Sequence, residues 1–280
     1  MILVDNNQIL IASMFAQTRG GKEPISEDLI RHMVLNTYRL IRSHHTDRFG
    51  ELVICYDASD CWRKRTFPEY KQNRKKQKAK SDVDWDEIFA LFGKIREEVR
   101  TVFPYKHLYV PHAEADDVIA VMAQNYHDRE KILIVSSDKD FQQLQRYPNV
   151  HQYSPIHKKM LKCEDPQRFL LEHIIKGDSS DGIPNILSDD DSIINEAKRQ
   201  KPCGAKRMEK IIEELGSDEN IHARNWERNQ TLVDLTYIPE EIVTETINQY
   251  ENQEVGDRSQ ILNYMIENRL KNLVEVISDF

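Results

Sequence analysis

Ile132-Leu133-Ile134-Val135, followed at once by Ser136-Ser137-Asp138, is a short apolar run that stops at a carboxylate. Two other runs have the same form: Ile2-Leu3-Val4 before Asp5, and Leu52-Val53-Ile54-Cys55-Tyr56 before Asp57. Unbroken apolar runs of this length read as parallel strands buried on both faces, because a half-exposed strand would alternate. Between them, Glu27 to Ser43, Trp85 to Val102 and Ala115 to Tyr126 carry apolar residues every three or four positions, the helical period. Strands alternating with helices predict an α/β sheet with crossover connections. In such a sheet the carboxyl ends of the strands form the ligand-binding edge, so Asp5, Asp57 and Asp138 are expected together there.

Beyond about Cys163 the strand signals fade, and Phe169 to Lys176, Lys206 to Leu215 and Gln260 to Ser278 read as helical. A chain of 280 residues has room for two lobes, so the sequence predicts a catalytic domain over 1–165 and a smaller helical domain over 166–280. No stretch approaches the roughly 20 apolar residues that span a bilayer. The N-terminus lacks the basic region and cleavage site of a signal peptide, and a cytoplasmic location is expected. Cys55, Cys61, Cys163 and Cys203 show no C-x-x-C spacing, which argues against a zinc site or a redox pair.

The formal net charge of −8 hides an uneven distribution. From Trp62 to Lys80 nine Lys or Arg residues stand against the single acid Glu69, leaving one basic segment on an acidic body. That distribution suits a metal site fed by a phosphate-gripping arm. The acidic run Ser188-Asp189-Asp190-Asp191 reads as a solvated loop.

Five acidic clusters stand out: Asp5; Asp57; Glu114-Ala115-Asp116-Asp117; Asp138-Lys139-Asp140; and Asp178-Ser179-Ser180-Asp181. Singly, each has a plainer explanation, since an Asp after a strand caps the next helix and acids in a first turn suit the helix dipole. Crowded at one sheet edge they would repel one another and rise in pKa unless cations neutralised them. With oxygen ligands and no His or Cys at matching spacing, the set selects hard ions: two Mg²⁺, with Mn²⁺ as a substitute. Two ions about 3.5 to 4 Å apart would polarise a phosphodiester and stabilise its leaving oxygen. Glu114 and Asp117 share a helix face while Asp116 points elsewhere, and Asp138 and Asp140, two apart past a strand end, point the same way.

Glu114-Ala115-Asp116-Asp117-Val118-Ile119-Ala120 and, after it, Ser136-Ser137-Asp138-Lys139-Asp140-Phe141-Gln142-Gln143-Leu144 resemble the two acidic motifs of the flap endonuclease and 5′→3′ exonuclease family. Arg65-Thr66-Phe67-Pro68-Glu69-Tyr70-Lys71-Gln72-Asn73-Arg74 and Lys176-Gly177-Asp178-Ser179-Ser180-Asp181-Gly182-Ile183-Pro184 complete a resemblance that covers residues 1 to 185 in order. Tyr153-Ser154-Pro155-Ile156-His157-Lys158-Lys159 and the overall length are similar to the family's T-even phage ribonuclease H branch.

The resemblance implies a PIN-like, mostly parallel sheet flanked by helices, a basic helical arch at about 62–95, and a helical C-terminal DNA-binding domain with a modified helix-hairpin-helix. It implies that Asp5, Asp57, Asp116, Asp138 and Glu114 hold a first metal, that Asp140, Asp178 and Asp181 serve a second, and that Asp117 acts through water. Lys71 matches the cation that the family sets against the scissile phosphate, with Arg65 and Arg74 nearby, a placement that would stabilise developing charge. Arg63, Lys64, Tyr70, Lys75 and Lys76 on the arch, and Lys206 and Arg207 beyond it, are the implied nucleic-acid contacts. Trp62, Phe67 and Tyr70 leave two readings open, stacking on bases or packing beneath the arch. The relatives' glycine-rich, potassium-binding turn is replaced by Pro202-Cys203-Gly204-Ala205-Lys206-Arg207 after an acidic insertion, which puts a potassium ion in doubt.

The implied activity is two-metal hydrolysis of RNA·DNA and DNA duplexes from the 5′ end, and of 5′ flaps and forks, leaving 5′-phosphates. The branch implies primer removal in phage DNA replication by a monomer that contacts the phage single-strand-binding protein and the sliding clamp. Three rivals fit less well. A PIN-type ribonuclease is shorter and lacks the basic arch; an aspartyl phosphatase wants D-x-D where Asp5-Asn6-Asn7 stands; a non-catalytic DNA-binding replication factor would have lost the carboxylates. Leu270 to Phe280 reads either as a packed terminal helix or as a partner-binding tail.

Overall fold

The computed structural model describes residues 1–81, 83–214 and 222–280. Leu215, at the end of one expected helix, lies outside the described residues.

β1 (Ile2–Asp5), α1 (Asn6–Gln17), α2 (Glu27–Phe49) and β2 (Leu52–Cys55) lead into α3 (Trp62–Thr66), α4 (Gln72–Ala79) and α5 (Trp85–Val102). Then come β3 (Lys106–Leu108), α6 (Ala115–Tyr126), β4 (Ile132–Val135), a 3-10 helix (Lys139–Arg146), β5 (Val150–Ser154) and β6 (Lys159–Leu161). All six strands form one sheet in the order β3-β2-β1-β4-β5-β6, parallel except for β6. Both faces are covered at the centre of the sheet, which explains the apolar runs of β1, β2 and β4: Ile2 and Val4 pack with α1, α2 and α5, while Leu3 and Val53 pack with α6.

α5 buries Ile88, Leu91, Phe92, Ile95 and Val99, an apolar stripe at three- and four-residue spacing, and Asp84 caps it by accepting from the Asp86 and Glu87 amides. The later part of the expected arch, from Trp85 on, is therefore a core helix. α4, by contrast, buries none of its side chains.

The helical remainder packs in two places. α7 (Pro166–Lys176), α8 (Ala205–Glu214) and α9 (Ala223–Val233) form one group, joined by Leu170 and Ile174 against Leu232 and Val233 and by Ile175 against Met208 and Ile211. α10 (Glu240–Asn252) instead lies on α6 and covers the sheet edge at β3. There Gln253 donates to the His107 carbonyl at 3.0 Å and accepts its amide at 2.6 Å, satisfying an edge that would otherwise be open. α11 (Ile261–Glu267), α12 (Lys271–Val274) and a last 3-10 turn (Ile277–Asp279) pack against the sheet domain, so the single helix expected over Gln260 to Ser278 is broken. The break falls at Arg269, whose φ of 56° is left-handed, and the Leu270 amide donates back to Met265 at 2.8 Å.

The acidic run at 188–191 is a turn whose Asp189 is solvated, at 71% exposed, while its neighbours are pinned. Asp190 accepts from Arg224 and Arg228, each at 2.5 Å, and Ser188 and Ser192 are buried. No helix among the described residues is long and apolar enough to cross a membrane.

Candidate metal centre and arch

Parallel register delivers the carboxylates to one edge. Asp5 ends β1 opposite Cys55 of β2, and Val4 pairs with Val135 of β4, three residues before Asp138. Asp5 accepts from the Gln8 amide at 3.2 Å and the Ser136 hydroxyl at 2.9 Å, so it also caps α1. Asp57 accepts the Ala115 amide at 2.6 Å and the Asn7 side-chain amide. Asp138 caps the 3-10 helix through the Asp140 amide at 2.9 Å. Asp116 stands in the first turn of α6.

Burial, and then the charge of Asp57, pushes the Asp5 carboxyl up to about 7. Burial followed by the charges of Asp138 and Asp5 holds Asp116 well above the usual carboxylate range. Asp57 is raised too, by burial first and then partly by Glu114. Oxygen donors from four segments, with Asp5, Asp57 and Asp116 made harder to ionise by burial and by their neighbours, fit a divalent cation, which would remove the repulsion.

Glu114 and Asp117 do share a face, but Arg63 occupies it. The Arg63 guanidinium meets Glu114 at 3.1 Å and Asp117 at 2.7 Å and donates to the Leu232 carbonyl at 2.9 Å. Asp117, with no exposed surface, also accepts from Trp62 Nε1 at 3.2 Å and from the Glu114 amide at 2.9 Å. Two expectations are corrected here: Asp117 has no free face to turn to a metal-bound water, and Arg63, 2% exposed, has none to offer nucleic acid. Tyr70 is corrected likewise, for it is buried and its hydroxyl lies 2.9 Å from Glu114 and 3.1 Å from Asp181. Trp62 and Phe67 are buried, which selects packing over stacking.

Lys71 sits at a left-handed φ of 57° as α4 begins. Its ammonium contacts Glu114 at 2.6 Å and Asp181 at 3.5 Å, and its amide donates to the Asp181 carbonyl at 2.7 Å. Although burial works against it, Lys71 and then Arg63 hold Glu114 down to about 2. Arg74 pairs with Asp181 and donates to the Ser180 carbonyl at 3.2 Å. Arg65 is not brought in: it is exposed and meets Asp60 and His112, each at 2.8 Å. Exposed Lys64, Lys75 and Lys76 line a cavity of about 980 Å³ between arch and sheet edge. Arg96 and Tyr109, which the sequence reading missed, line it too. Lys206 and Arg207 are exposed at the start of α8.

The second acidic group contains a histidine. Asp140, His173 and Asp178 each place a candidate ligand atom within 4.8 Å of the others. The sequence reading found no histidine at matching spacing, and His173 escaped it: the residue lies in the last turn of α7, five residues before Asp178, a spacing that no common ligand motif flags. Burial above all raises Asp140 to about 7. Asp178 stays well below the usual range despite burial, because His173, Lys139 and Ser180 donate to it.

Residues 1–172 match the family model described as 5′-3′ exonuclease, N-terminal resolvase-like domain, and residues 166–280 match T4 RNase H, C terminal. Ribonuclease H of Enterobacteria phage T4 is 30% identical, with 99% of this chain and 95% of that protein covered. Flap endonuclease Xni of Shewanella sp. (strain MR-4) is 30% identical over 53% of this chain and 56% of its own. The structure of T5 D15 protein co-crystallised with metal ions shares the fold with a TM-score of 0.63 at 18% identity, covering 89% of this chain and 98% of that one. A T5 D15 flap endonuclease complex with DNA and metal ions shares it with a TM-score of 0.62.

Proposed function

This chain belongs to the 5′-3′ exonuclease family, with a C-terminal region of the T4 RNase H type, and we propose that it is a Mg²⁺-dependent nuclease that trims RNA·DNA and DNA duplexes from the 5′ end and cuts 5′ flaps. The observation that carries this reading is that Asp5, Asp57, Asp116 and Asp138 stand near enough at one sheet edge to act on one another's charge, with Asp57 on the wall of a cation-lined cavity.

Asp5, Asp57, Asp116, Asp138 and the neighbouring Glu114 would hold the first ion, and Asp140, Asp178 and Asp181 would serve the second. Bound there, divalent ions supply Lewis acidity toward a phosphodiester and a lower pKa for the attacking water. Lys71 and Arg74 are neutralised by Glu114 and Asp181 now, and an entering phosphate would compete for both cations. Lys64, Lys75 and Lys76 would guide a single strand through the cavity, and Lys206 and Arg207 would grip the duplex behind it.

The division into a catalytic domain at 1–165 and a DNA-binding remainder belongs to the same reading, with α7 to α9 as the part free to meet a duplex. So does primer removal in phage replication by a monomer in the host cytoplasm, touching the single-strand-binding protein and the sliding clamp.

The test is cleavage of a 5′-labelled RNA·DNA duplex and a 5′-flap substrate with Mg²⁺, beside Asp138→Asn. Short 5′-phosphorylated products from both substrates, absent with the variant, support the reading. Metal-dependent binding without cleavage would make the chain a non-catalytic replication factor.

A further inference from the structure

Two buried polar atoms face one another beside the second carboxylate group without a hydrogen-bond partner: His173 Nδ1 and Asp140 Oδ1, 3.5 Å apart. His173 is 6% exposed, so solvent has little access to its ring. Leaving one such atom unsatisfied in the interior is destabilising, and two that oppose each other point to a missing bridge.

The far side of the ring indicates what the bridge is. His173 Nε2 lies 3.2 Å from Asp178 Oδ2, which also accepts Lys139 Nζ at 2.8 Å. Asp178 Oδ1 accepts the Ser180 amide at 2.8 Å and hydroxyl at 2.6 Å, so this carboxylate is an acceptor on every side. Nε2 must then carry the ring proton, which in a neutral imidazole leaves the lone pair on Nδ1, aimed at Asp140. A proton on Nδ1 as well would be a poor bridge, since 3.5 Å exceeds a normal N–H···O bond. A metal ion suits the gap: two ligand atoms at about 2.1 to 2.2 Å from an ion lie about 3.0 to 3.6 Å apart, the lower end for the right angle of an octahedral shell and the upper for a tetrahedral one. A ligating histidine whose other nitrogen donates to a carboxylate is the usual way in which proteins orient such a ligand.

We infer that His173 Nδ1 and Asp140 Oδ1 together ligate the second ion, that Asp178 orients the ring from behind, and that this position prefers a first-row transition ion such as Mn²⁺ to Mg²⁺. The preference follows from ligand type, because imidazole suits transition ions whereas Mg²⁺ favours oxygen ligands and retained water. The inference rests on the reading of this edge as a metal centre, but its test does not depend on cleavage.

The whole protein is loaded with Mn²⁺, and pulsed electron paramagnetic resonance reads nitrogen hyperfine coupling to the bound ion. Calorimetry compares Mn²⁺ and Mg²⁺ in parallel. His173→Gln keeps a side-chain donor toward Asp178 and removes Nδ1. Nitrogen coupling is expected in the native protein and absent from the variant, with Mn²⁺ affinity at one site lowered about tenfold or more. Mg²⁺ affinity should change by less than about threefold. Bound Mn²⁺ without nitrogen coupling overturns the inference, and so does coupling that survives in the variant or a failure to bind Mn²⁺ at all. Because the native spectrum can overturn it unaided, the test survives a variant that does not fold. Nitrogen coupling in a protein that cuts neither substrate would uphold this assignment and remove the nuclease reading.

Discussion

Arg63 stands in the most basic stretch of the chain, yet its charge serves the acidic interior. Buried against Glu114, Asp117 and the Leu232 carbonyl, it fastens the start of the arch to α6 and to the end of α9. Removing one partner of a buried ion pair leaves the others uncompensated, so Arg63→Ala should cost about 3–5 kcal/mol in urea unfolding. A loss below about 1 kcal/mol would mean that Arg63 is an ordinary exposed arch cation after all. Asp5 and Asp140 make the opposite prediction about protons. Each has a folded value of about 7 against 3.8, so the metal-free fold binds more protons than the unfolded chain between those values. Its thermal midpoint should fall as pH rises through that window. Mg²⁺ needs the ionised carboxylates, so the stabilisation it adds should be larger at about pH 7.5 than at about pH 5.5. Glu114, held at about 2, contributes stability that is present above its ordinary 4.5 and is lost as pH falls from there towards 2, below both of the pH values compared. Melting curves at both pH values, with and without Mg²⁺, decide it; equal Mg²⁺ shifts would mean that the low-pH protons are not on the ligands.

At the scale of elements, the arch is docked rather than free. The Lys71 amide and the Asn73 and Arg74 side chains all bond to carbonyls in the loop from Ser179 to Asp181, and Lys76 reaches the Ile194 carbonyl at 2.7 Å. Gly182 permits the approach: its φ is +77°, and an added Cβ would meet the Glu69 carbonyl oxygen at 2.9 Å. Gly182→Ala should therefore push α4 off the loop and speed hydrogen exchange at Lys71, while exchange in β1 and β4 stays slow; an unchanged Lys71 amide would show that the loop yields instead. Lys71→Ala tests the docked end chemically, with a loss of roughly 10² in cleavage rate expected if its ammonium stabilises charge on the phosphate. Weakened binding alone, with steep salt dependence, would assign it to grip. The elements differ in how far the sequence disclosed them. β1, β2 and β4 were legible because burial on both faces makes them apolar throughout. β3 hides behind Lys106 and His107, and β5 alternates, with His151 against Phe49 and Tyr153 against His45, so neither stands out by composition. The Asp116 and Asp117 faces follow from helical geometry, but no spacing rule discloses that Arg63 claims one of them or that α7 brings His173 to Asp140.

For the molecule as a whole, the part least legible was where the last forty residues go. Periodicity in Gln260 to Ser278 marks an amphipathic segment but does not say which surface receives its apolar side, so a packed terminus and a partner-binding tail read alike. The receiving surface is assembled from distant pieces. Ile261, Met265, Leu270, Leu273 and Phe280 join the same core as β1, α2 and α5. Tyr264 donates to Glu98 at 2.7 Å, and Asp279 pairs with Arg39 at 2.6 Å. Phe280 has no exposed surface, and its ring lies 5.4 Å from that of Phe103. A buried aromatic truncated to alanine costs about 3–5 kcal/mol, because the lost contacts are not recovered by collapse. In a chain of this size each kcal/mol shifts the midpoint by about 2–4 °C, so Phe280→Ala should lower melting by roughly 10 °C. Cleavage at low temperature should persist, since the residue touches none of the carboxylates. A melting curve unchanged by the substitution would mean instead that Phe280 is held for a partner.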